Sequence, residues 1–356
     1  MKKSWKVLAG LASAGAAAYS ALRARSPGEI EPYLDDTGNL LGGSVAEIAR
    51  VTIGGREQGM ILKGRSVKNP VLLFLHGGPG SPEYAPAQQA PLCLEDYFTV
   101  CWWEQRGSGM SYSRDIKPGE LTLERMIEDT VEVTNYLRER FGAEKIYLMG
   151  HSWGSFLGIH AAYRRPELYA AYIGVGQVTN QLESEKLAHA YMLETARAKG
   201  DIKTAEKLAS YRIEGPASVS MAYIGLRTAT MLRQGVGLAH KPIRALATVT
   251  GVLLAKEYTV ADKINYIRGA AAGLALMKEQ LAIDPFQTIP ALELPVYIIH
   301  GVYDKQVSYN LSRAYFERLR APEKHFYAFE NSAHSPPLEE PEEFMRVIKE
   351  VINNGQ

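Results

Sequence analysis

The chain has 356 residues, of which 46 % are hydrophobic, so it can bury a sizeable core and suits one large α/β domain that carries an insertion. Its 40 basic and 39 acidic residues leave a formal net charge of +1, which excludes an overall field that would attract nucleic acid or an acidic polymer. The two cysteines, Cys93 and Cys101, have no metal-ligand spacing, and a disulfide between them is left open.

The first 30 residues have the outline of a signal or membrane-anchor segment that leads into a linker. Three lysines in residues 1–6 precede an uncharged stretch, residues 7–22, which ends before Arg23. This stretch is shorter than the ~20 residues that a helix needs to span a bilayer, and most of it is Ala, Gly or Ser. We expect membrane association or export through residues 7–22. The alternative is an Ala-rich helix that lies on the domain of a cytoplasmic protein.

The sheet begins after this linker. Residues 45–63 alternate in polarity on both sides of two glycines, which predicts a β-hairpin. Residues 70–75 form a continuous apolar run typical of a buried central strand, and the run ends in His76-Gly77-Gly78-Pro79-Gly80. Glycines here leave room for a substrate carbonyl, so we predict that the Gly78 N–H is one donor of an oxyanion hole. A simple Gly-Pro turn after a strand is the alternative.

A second glycine motif follows the next predicted strands. Residues 144–149 are a short, largely apolar run that leads into Gly150-His151-Ser152-Trp153-Gly154, and helical spacing continues beyond it. Glycines on both sides of a serine let a strand turn abruptly into a helix, with the serine hydroxyl exposed at the apex. We therefore predict that Ser152 is a nucleophile and that the Trp153 N–H is the second oxyanion donor.

Three motifs in this order resemble the proline iminopeptidase branch of the α/β-hydrolase superfamily. The resemblance covers residues 45–177 and 289–345, and it implies a serine hydrolase that acts on peptides with a free N-terminal residue. The motifs are His76-Gly77-Gly78-Pro79-Gly80, Glu104-Gln105-Arg106-Gly107-Ser108-Gly109-Met110-Ser111 and Gly150-His151-Ser152-Trp153-Gly154-Ser155.

The chain departs from this family pattern at three positions. Glu104 stands where the family usually has Asp, and His151 stands where Gly is frequent. Lys305 occupies a position where some members have a Glu that helps to hold the substrate's amino group.

Arg106 follows a strand and stands among glycines, and we expect its guanidinium to fix the loop in which it lies through several hydrogen bonds.

The middle of the chain changes to helical periodicity. From about residue 178 to residue 284 the sequence has hardly a strand-like run, and amphipathic stretches follow one another. We interpret residues 178–288 as a helical cap inserted into the α/β pattern, which would lie over the serine and shape the substrate pocket. A second helical domain with its own partner is the alternative.

The last third returns to strands and supplies the remaining candidates. Residues 294–300 are a buried-strand run followed by Asp304, and His334 lies in the loop after another short strand, residues 324–329. The order Ser152, Asp304, His334 is the serine, acid, histidine order of an α/β-hydrolase. His300 is the rival histidine, and Asp284 is the rival acid.

The sequence therefore predicts an α/β-hydrolase fold with a mostly parallel central sheet, helices on both faces and an inserted helical cap. We divide it into an N-terminal segment, residues 1–30, a core of residues 31–177 and 289–356, and the cap. The favoured function is a proline iminopeptidase-like aminopeptidase with a Ser-His-Asp triad that transfers an acyl group to water, with a peptide or small-molecule substrate and no metal or cofactor. A carboxylesterase or lipid-directed hydrolase is the alternative, and a catalytically silent binding module is a more remote one.

Overall fold

An eight-stranded sheet forms the centre of the computed structural model, which describes residues 20, 22–241 and 250–355. The strand order is β1-β2-β4-β3-β5-β6-β7-β8, in which β2 runs antiparallel to β1 and β4 and all other neighbours are parallel. The mostly parallel sheet and the first hairpin agree with the prediction. The strands are β1 Val45–Ile53, β2 Arg56–Gly64, β3 Val71–Leu75, β4 Thr99–Trp103, β5 Ile146–His151, β6 Tyr169–Val175, β7 Val296–Gly301 and β8 Lys324–Phe329.

Both faces of the sheet are covered, which explains why its central strands are continuous apolar runs. All five residues of β3 are buried. Because successive side chains point to opposite faces, Leu73 and Leu75 belong to one hydrophobic cluster and Leu72 and Phe74 to the other. The sheet is thus the middle layer of three.

Eight longer helices that lie wholly within the described ranges accompany the sheet. They are α1 Leu123–Phe141, α2 Trp153–Arg164, α3 Gln181–Ala198, α4 Ile202–Ala209, α5 Met221–Gln234, α6 Val260–Ala282, α7 Tyr309–Arg318 and α8 Pro341–Asn354. Buried residues of α1, α2 and α7 join the cluster on one face of the sheet, whereas α8 supplies Phe344, Ile348 and Val351 to the other face. Helices therefore cover both faces, as predicted.

The helices between β6 and β7 have a small core of their own. They also contact two glycine loops, residues 76–80 after β3 and residues 104–111 after β4. Ala188, Met192, Leu208, Met231 and Val236 form this core. The α6 helix packs on the loops through two glycines: a Cβ on Gly269 would lie 2.6 Å from Ser108 Cα, and a Cβ on Gly273 would overlap the Pro79 carbonyl. The division into a core and a cap with the predicted boundaries stays a prediction.

Parts of two predicted segments lie outside the described residues. The membrane-targeting stretch, residues 7–22, is described only at residues 20 and 22. Residues 242–249 of the predicted cap are also outside, although residues 250–254 are helical. Among the described ranges, no helix has the length and apolar character that crossing a membrane requires.

The segment around β4 contains both cysteines. The short helix Leu94–Tyr97 precedes this strand, which begins at Thr99. Both cysteines are free thiols: Cys101 is buried on β4, and Cys93 is exposed. Further short α-helices in the described part of the chain are Tyr84–Ala87, Pro285–Thr288 and Pro336–Glu339.

Candidate active site

Ser152 occupies the sharp turn between β5 and α2. Its backbone has φ 55° and ψ −122°, a sparsely populated conformation for a residue with a side chain. Two glycines permit this turn, since a Cβ on Gly150 would overlap the Gly154 carbonyl and a Cβ on Gly154 would overlap the Leu75 carbonyl. The chain therefore forms the strand, elbow and helix that the sequence motif predicted.

Asp304 and His334 lie together beside this elbow. His334 Nδ1 is 2.7 Å from Asp304 Oδ2, and both side chains are buried. Because a carboxylate only accepts, this contact places the imidazole proton on Nδ1 and leaves Nε2 with a free lone pair. His334 Nε2 is buried and forms no hydrogen bond in the described structure, so it is not bonded to Ser152 Oγ. Such bonds are often long in the absence of substrate.

The Asp304 carboxylate is held by two backbone donors and a second histidine. Its Oδ1 accepts from Gln306 N at 2.8 Å and Val307 N at 2.9 Å, while His300 Nε2 lies 3.1 Å from Oδ2. Burial alone would raise the pKa of Asp304, but the charges and hydrogen bonds of His334 and His300 hold it well below its usual range. Asp304 is therefore an anion at neutral pH.

His334 itself favours the neutral form. Burial lowers its pKa, and the neighbouring His151 and His300 lower it further, against the opposing effect of Asp304. A neutral imidazole with a free Nε2 can accept a proton from a hydroxyl.

The two rival residues have other positions. His300 shares the Asp304 oxygen but is fully buried on β7 and does not line the cavity in front of Ser152. Asp284 accepts from Phe286 N at the start of the helix Pro285–Thr288 and from Asn180 Nδ2 at 3.0 Å. Asp284 thus caps a helix, and His300 supports the carboxylate.

The glycine loop after β3 lies against Ser152. A Cβ on Gly77 would be 3.0 Å from Ser152 Cβ, and Gly78 and Ser152 line the same cavity. Trp153 is the first residue of α2, where backbone N–H groups have no partner within the helix. The two predicted donors therefore lie on the two segments that adjoin the serine.

The loop after β4 connects these two segments. Gln105 donates from Nε2 to the His76 carbonyl at 2.9 Å and accepts from Trp153 Nε1 at 2.9 Å. Arg106, as expected, is structural: its guanidinium forms a bidentate pair with buried Asp129 of α1, at 2.6 and 2.9 Å, and donates to the Gly54 carbonyl. This loop is thereby fixed to the glycine loop after β3, to α1 and to the first hairpin.

Buried Glu104 begins this loop, and its contacts extend to the helical region. It accepts from Tyr258 Oη and Met110 N, each at 2.5 Å. Burial raises the pKa of Glu104 to about 7, although both hydrogen bonds oppose this shift. The extra methylene of Glu over Asp lengthens the reach toward Tyr258, a contact that the sequence did not indicate.

A second acid and histidine at the site were missed by the sequence analysis. Glu83 Oε1 accepts from Gly77 N at 2.6 Å, and both Glu83 oxygens lie 2.9 Å from His151 Nδ1. His151 Nε2 is 2.8 Å from the His334 carbonyl oxygen. Glu83 and His151 are 68 positions apart, so no local pattern joins them, and the only signal was the histidine next to Ser152.

The cavity in front of Ser152 has a volume of about 260 Å³. Its lining is mainly apolar, and Glu83 is the one acidic side chain among the described lining residues. Ser152, His334 and Gly78 also line it, so a carbonyl group bound in the cavity can contact the Ser152 hydroxyl. The apolar lining includes Phe74, Leu92, Leu94, Trp102, Leu338 and Phe344.

This fold and this site define an α/β-hydrolase. The sequence matches the family model of the alpha/beta hydrolase fold over residues 70–341, and the chain belongs to that family. The chain is accordingly an enzyme, an α/β-fold serine hydrolase, as the sequence predicted.

Individual proteins that are similar to this chain carry more specific names than the family. The chain is 35 % identical over 306 residues to the probable aminopeptidase YbaC of Bacillus subtilis (strain 168), a match that covers 86 % of this chain and 96 % of that protein. It is 23 % identical over 293 residues to a proline iminopeptidase of Heyndrickxia coagulans, covering 80 % and 90 % of the two chains. The crystal structure of proline iminopeptidase from Mycobacterium smegmatis matches with a TM-score of 0.59 at 18 % identity, over 87 % of this chain and 98 % of that one. The last match concerns the fold alone.

Proposed function

We propose that Ser152, His334 and Asp304 form a catalytic triad that transfers an acyl group from substrate to water. The observation that carries this proposal is the buried Asp304–His334 pair beside a serine on a strained turn. No other described histidine combines a carboxylate partner on one ring nitrogen, an unpaired second nitrogen and a position on the cavity wall with Ser152.

The proposed reaction has two halves. His334 Nε2 takes the Ser152 proton as Oγ attacks the substrate carbonyl carbon, and the same proton then goes to the leaving group. The N–H groups of Gly78 and Trp153 stabilise the oxyanion. Asp304 keeps the imidazole proton on Nδ1 and stabilises the imidazolium. Water, deprotonated by His334, then attacks the acyl carbon, and His334 returns the proton to Ser152 Oγ as the acyl group leaves.

The substrate class that we favour is a peptide or amino-acid amide with an unblocked first residue. The relative at 35 % identity is named a probable aminopeptidase, and several more distant relatives are named proline iminopeptidases. A cavity of about 260 Å³ suits one residue of the size of proline next to the serine. The largely apolar wall suits its ring.

One observation favours the alternative, an esterase. An α-ammonium group needs a carboxylate partner, and the acidic side chain on the described cavity wall, Glu83, is already paired with His151. An apolar acyl group needs no such partner. We therefore keep a carboxylesterase or lipid-directed hydrolase as the second candidate.

The test is labelling with a fluorophosphonate, followed by turnover assays on the same preparation with the Ser152→Ala variant as control. We expect the label on Ser152 and the highest kcat/KM on proline amides with a free amino group. Labelling with turnover of short-chain esters alone would select the esterase. If the protein takes no label at all, the triad proposal fails, and a catalytically silent binding module becomes the leading interpretation.

We also propose that residues 7–22 bring the protein to a membrane or an export pathway. The support is the pattern of three lysines before an uncharged stretch. Fractionation of cells that express the full chain, compared with a chain that begins at residue 27, tests it. Equal distribution of the two forms between the membrane and soluble fractions would contradict the proposal.

A further inference from the structure

His151 has an oxygen acceptor at each ring nitrogen. Nδ1 faces the Glu83 carboxylate at 2.9 Å, and Nε2 faces the His334 carbonyl at 2.8 Å. His151 and the Gly77 N–H bring the pKa of Glu83 below its usual range, so Glu83 is a carboxylate that only accepts. The His334 carbonyl also only accepts, so both bonds form only when both nitrogens are protonated. His151 is therefore an imidazolium that is paired with Glu83 inside the site, where only 9 % of its side chain is exposed.

This ion pair connects three segments that the reaction needs. Glu83 accepts the Gly77 N–H, in the residue before the proposed oxyanion donor Gly78. His151 is the residue before Ser152, and it donates to the backbone of His334 itself, with the two rings 5.0 Å apart. The oxyanion loop, the nucleophile and the base are thus joined through one pair of side chains.

We propose that the Glu83–His151 ion pair is a positioning device for the hydrolysis, which sets the oxyanion loop and the His334 loop at their distances from Ser152. The inference rests on the proposed roles of Ser152 and His334. In this scheme, neither Glu83 nor His151 donates a proton to the substrate or accepts one from it. When His151 loses one of its two ring protons, it keeps only one of its two hydrogen bonds. The loop on the side of the broken bond is then less restrained relative to Ser152.

The charged surroundings of His151 support a protonated ring. Burial by itself lowers the pKa of His151, but the Glu83 charge and hydrogen bond, the His334 carbonyl and the Asp304 charge together raise it above its ordinary value. Burial alone would raise the pKa of Glu83, and His151 and the Gly77 N–H bring it below its usual range. The titratable and charged groups around the pair are His76, Tyr266, Asp304 and His334.

The pH dependence follows from the two histidines. His334 acts as a base only when it is neutral, so the rate rises with pH through its lowered pKa. His151 positions the loops only when it is charged, so the rate falls as pH rises through its raised pKa. The inference therefore predicts a bell-shaped profile, with the alkaline limb above the ordinary histidine value of about 6.5.

The experiment measures the second-order rate constant of fluorophosphonate labelling against pH, which needs no knowledge of the substrate. Glu83→Gln keeps an acceptor for Gly77 N and can donate to a neutral His151, which still bonds the His334 carbonyl. It should lose about tenfold in rate, since a charge-assisted bond becomes a neutral one, and it should lose the alkaline limb. His151→Leu breaks both bonds and should lose about 10²-fold, the usual cost of a misplaced group.

A second variant protects the test against misfolding. His151→Leu leaves Glu83 without its partner, so the double variant Glu83→Gln with His151→Leu removes both charges at once and should lose about as much rate. The matched control is His325→Leu, because His325 of β8 pairs with Glu323 at 2.9 Å and neither residue lines the cavity. Its profile should match that of the unchanged protein.

The outcomes separate this inference from the triad. Suppose that the unchanged protein is labelled. An unchanged alkaline limb in Glu83→Gln, or an unchanged labelling rate in folded His151→Leu, then overturns the positioning role and leaves the triad intact. Absence of labelling in the unchanged protein overturns the triad first and the positioning role with it. Loss of the alkaline limb in Glu83→Gln, with the limb retained in His325→Leu, supports the inference.

Discussion

The substitution Asp304→Asn should reverse the tautomer of His334. The amide that replaces the carboxylate has one accepting oxygen and one donating nitrogen. Gln306 N and Val307 N both donate to Oδ1, so the amide oxygen must stay at that position. The NH₂ group then takes the place of Oδ2 and faces His334 Nδ1, at 2.7 Å in the native protein. A donor at that place forces Nδ1 to accept, and the imidazole proton moves to Nε2.

The expected cost is large because the wrong tautomer has no lone pair for the Ser152 proton. The same substitution in a serine protease triad lowers kcat by about 10⁴-fold. At 1.36 kcal/mol for each factor of ten, this corresponds to about 5 kcal/mol of transition-state stabilisation. The cost in stability is smaller, since both backbone hydrogen bonds to the side chain survive.

The assay is kcat on whichever ester or amide substrate is turned over, together with a thermal melt. Asp284→Asn is the matched control, because Asp284 caps the helix Pro285–Thr288 and does not line the cavity. It should leave kcat unchanged. If folded Asp304→Asn loses less than about tenfold in kcat, the tautomer argument is wrong, and Asp304 is not the residue that orients His334.

Three further predictions concern the same site and its support. Ser152→Ala should lower turnover by about 10³-fold or more with an unchanged circular dichroism spectrum, and a twofold loss would refute the nucleophile. Because burial and its histidine neighbours lower the pKa of His334, kcat/KM should rise with pH through a value below about 6.5, and a flat profile would contradict this base. Arg106→Met leaves buried Asp129 with Arg125 at 2.8 Å and the neutral Gln58 amide at 2.9 Å, so chemical denaturation should show a loss of about 3 kcal/mol in the free energy of unfolding. A loss of activity without that destabilisation would show that Arg106 acts in catalysis.

The sequence predicted those parts of the protein that local patterns determine. The runs around Leu73 and Ile298 are buried on both faces of the sheet, and such strands have no polar alternation that could mislead. The elbow is likewise local, since its two glycines and its serine lie within five residues. Order along the chain was sufficient to select Asp304 and His334, which the structure brings together at 2.7 Å.

The remaining features depend on distant pairs. Glu83 carries no motif, and its role follows only from its contact with His151. His300 was considered as a rival of His334, whereas both contact the same Asp304 oxygen, because a carboxylate oxygen accepts two hydrogen bonds. Tyr258 resembled many other core aromatics in the sequence, and only the structure places its hydroxyl on Glu104. Side-chain pairing across the fold leaves no periodic trace in the sequence.

The contact between α6 and the glycine loops has a consequence for protein engineering. Exchange of substrate-binding regions between related enzymes assumes that such a region is an independent module. Here Gly269 and Gly273 bring the α6 backbone directly onto Ser108 and Pro79, with no side chain between them. A chimera whose incoming helix has alanine or larger residues at these two positions would push the loop that carries Gly78 away from Ser152. A graft between such enzymes must therefore keep the small residues on both sides of this junction, or exchange the helix and the loop as one unit.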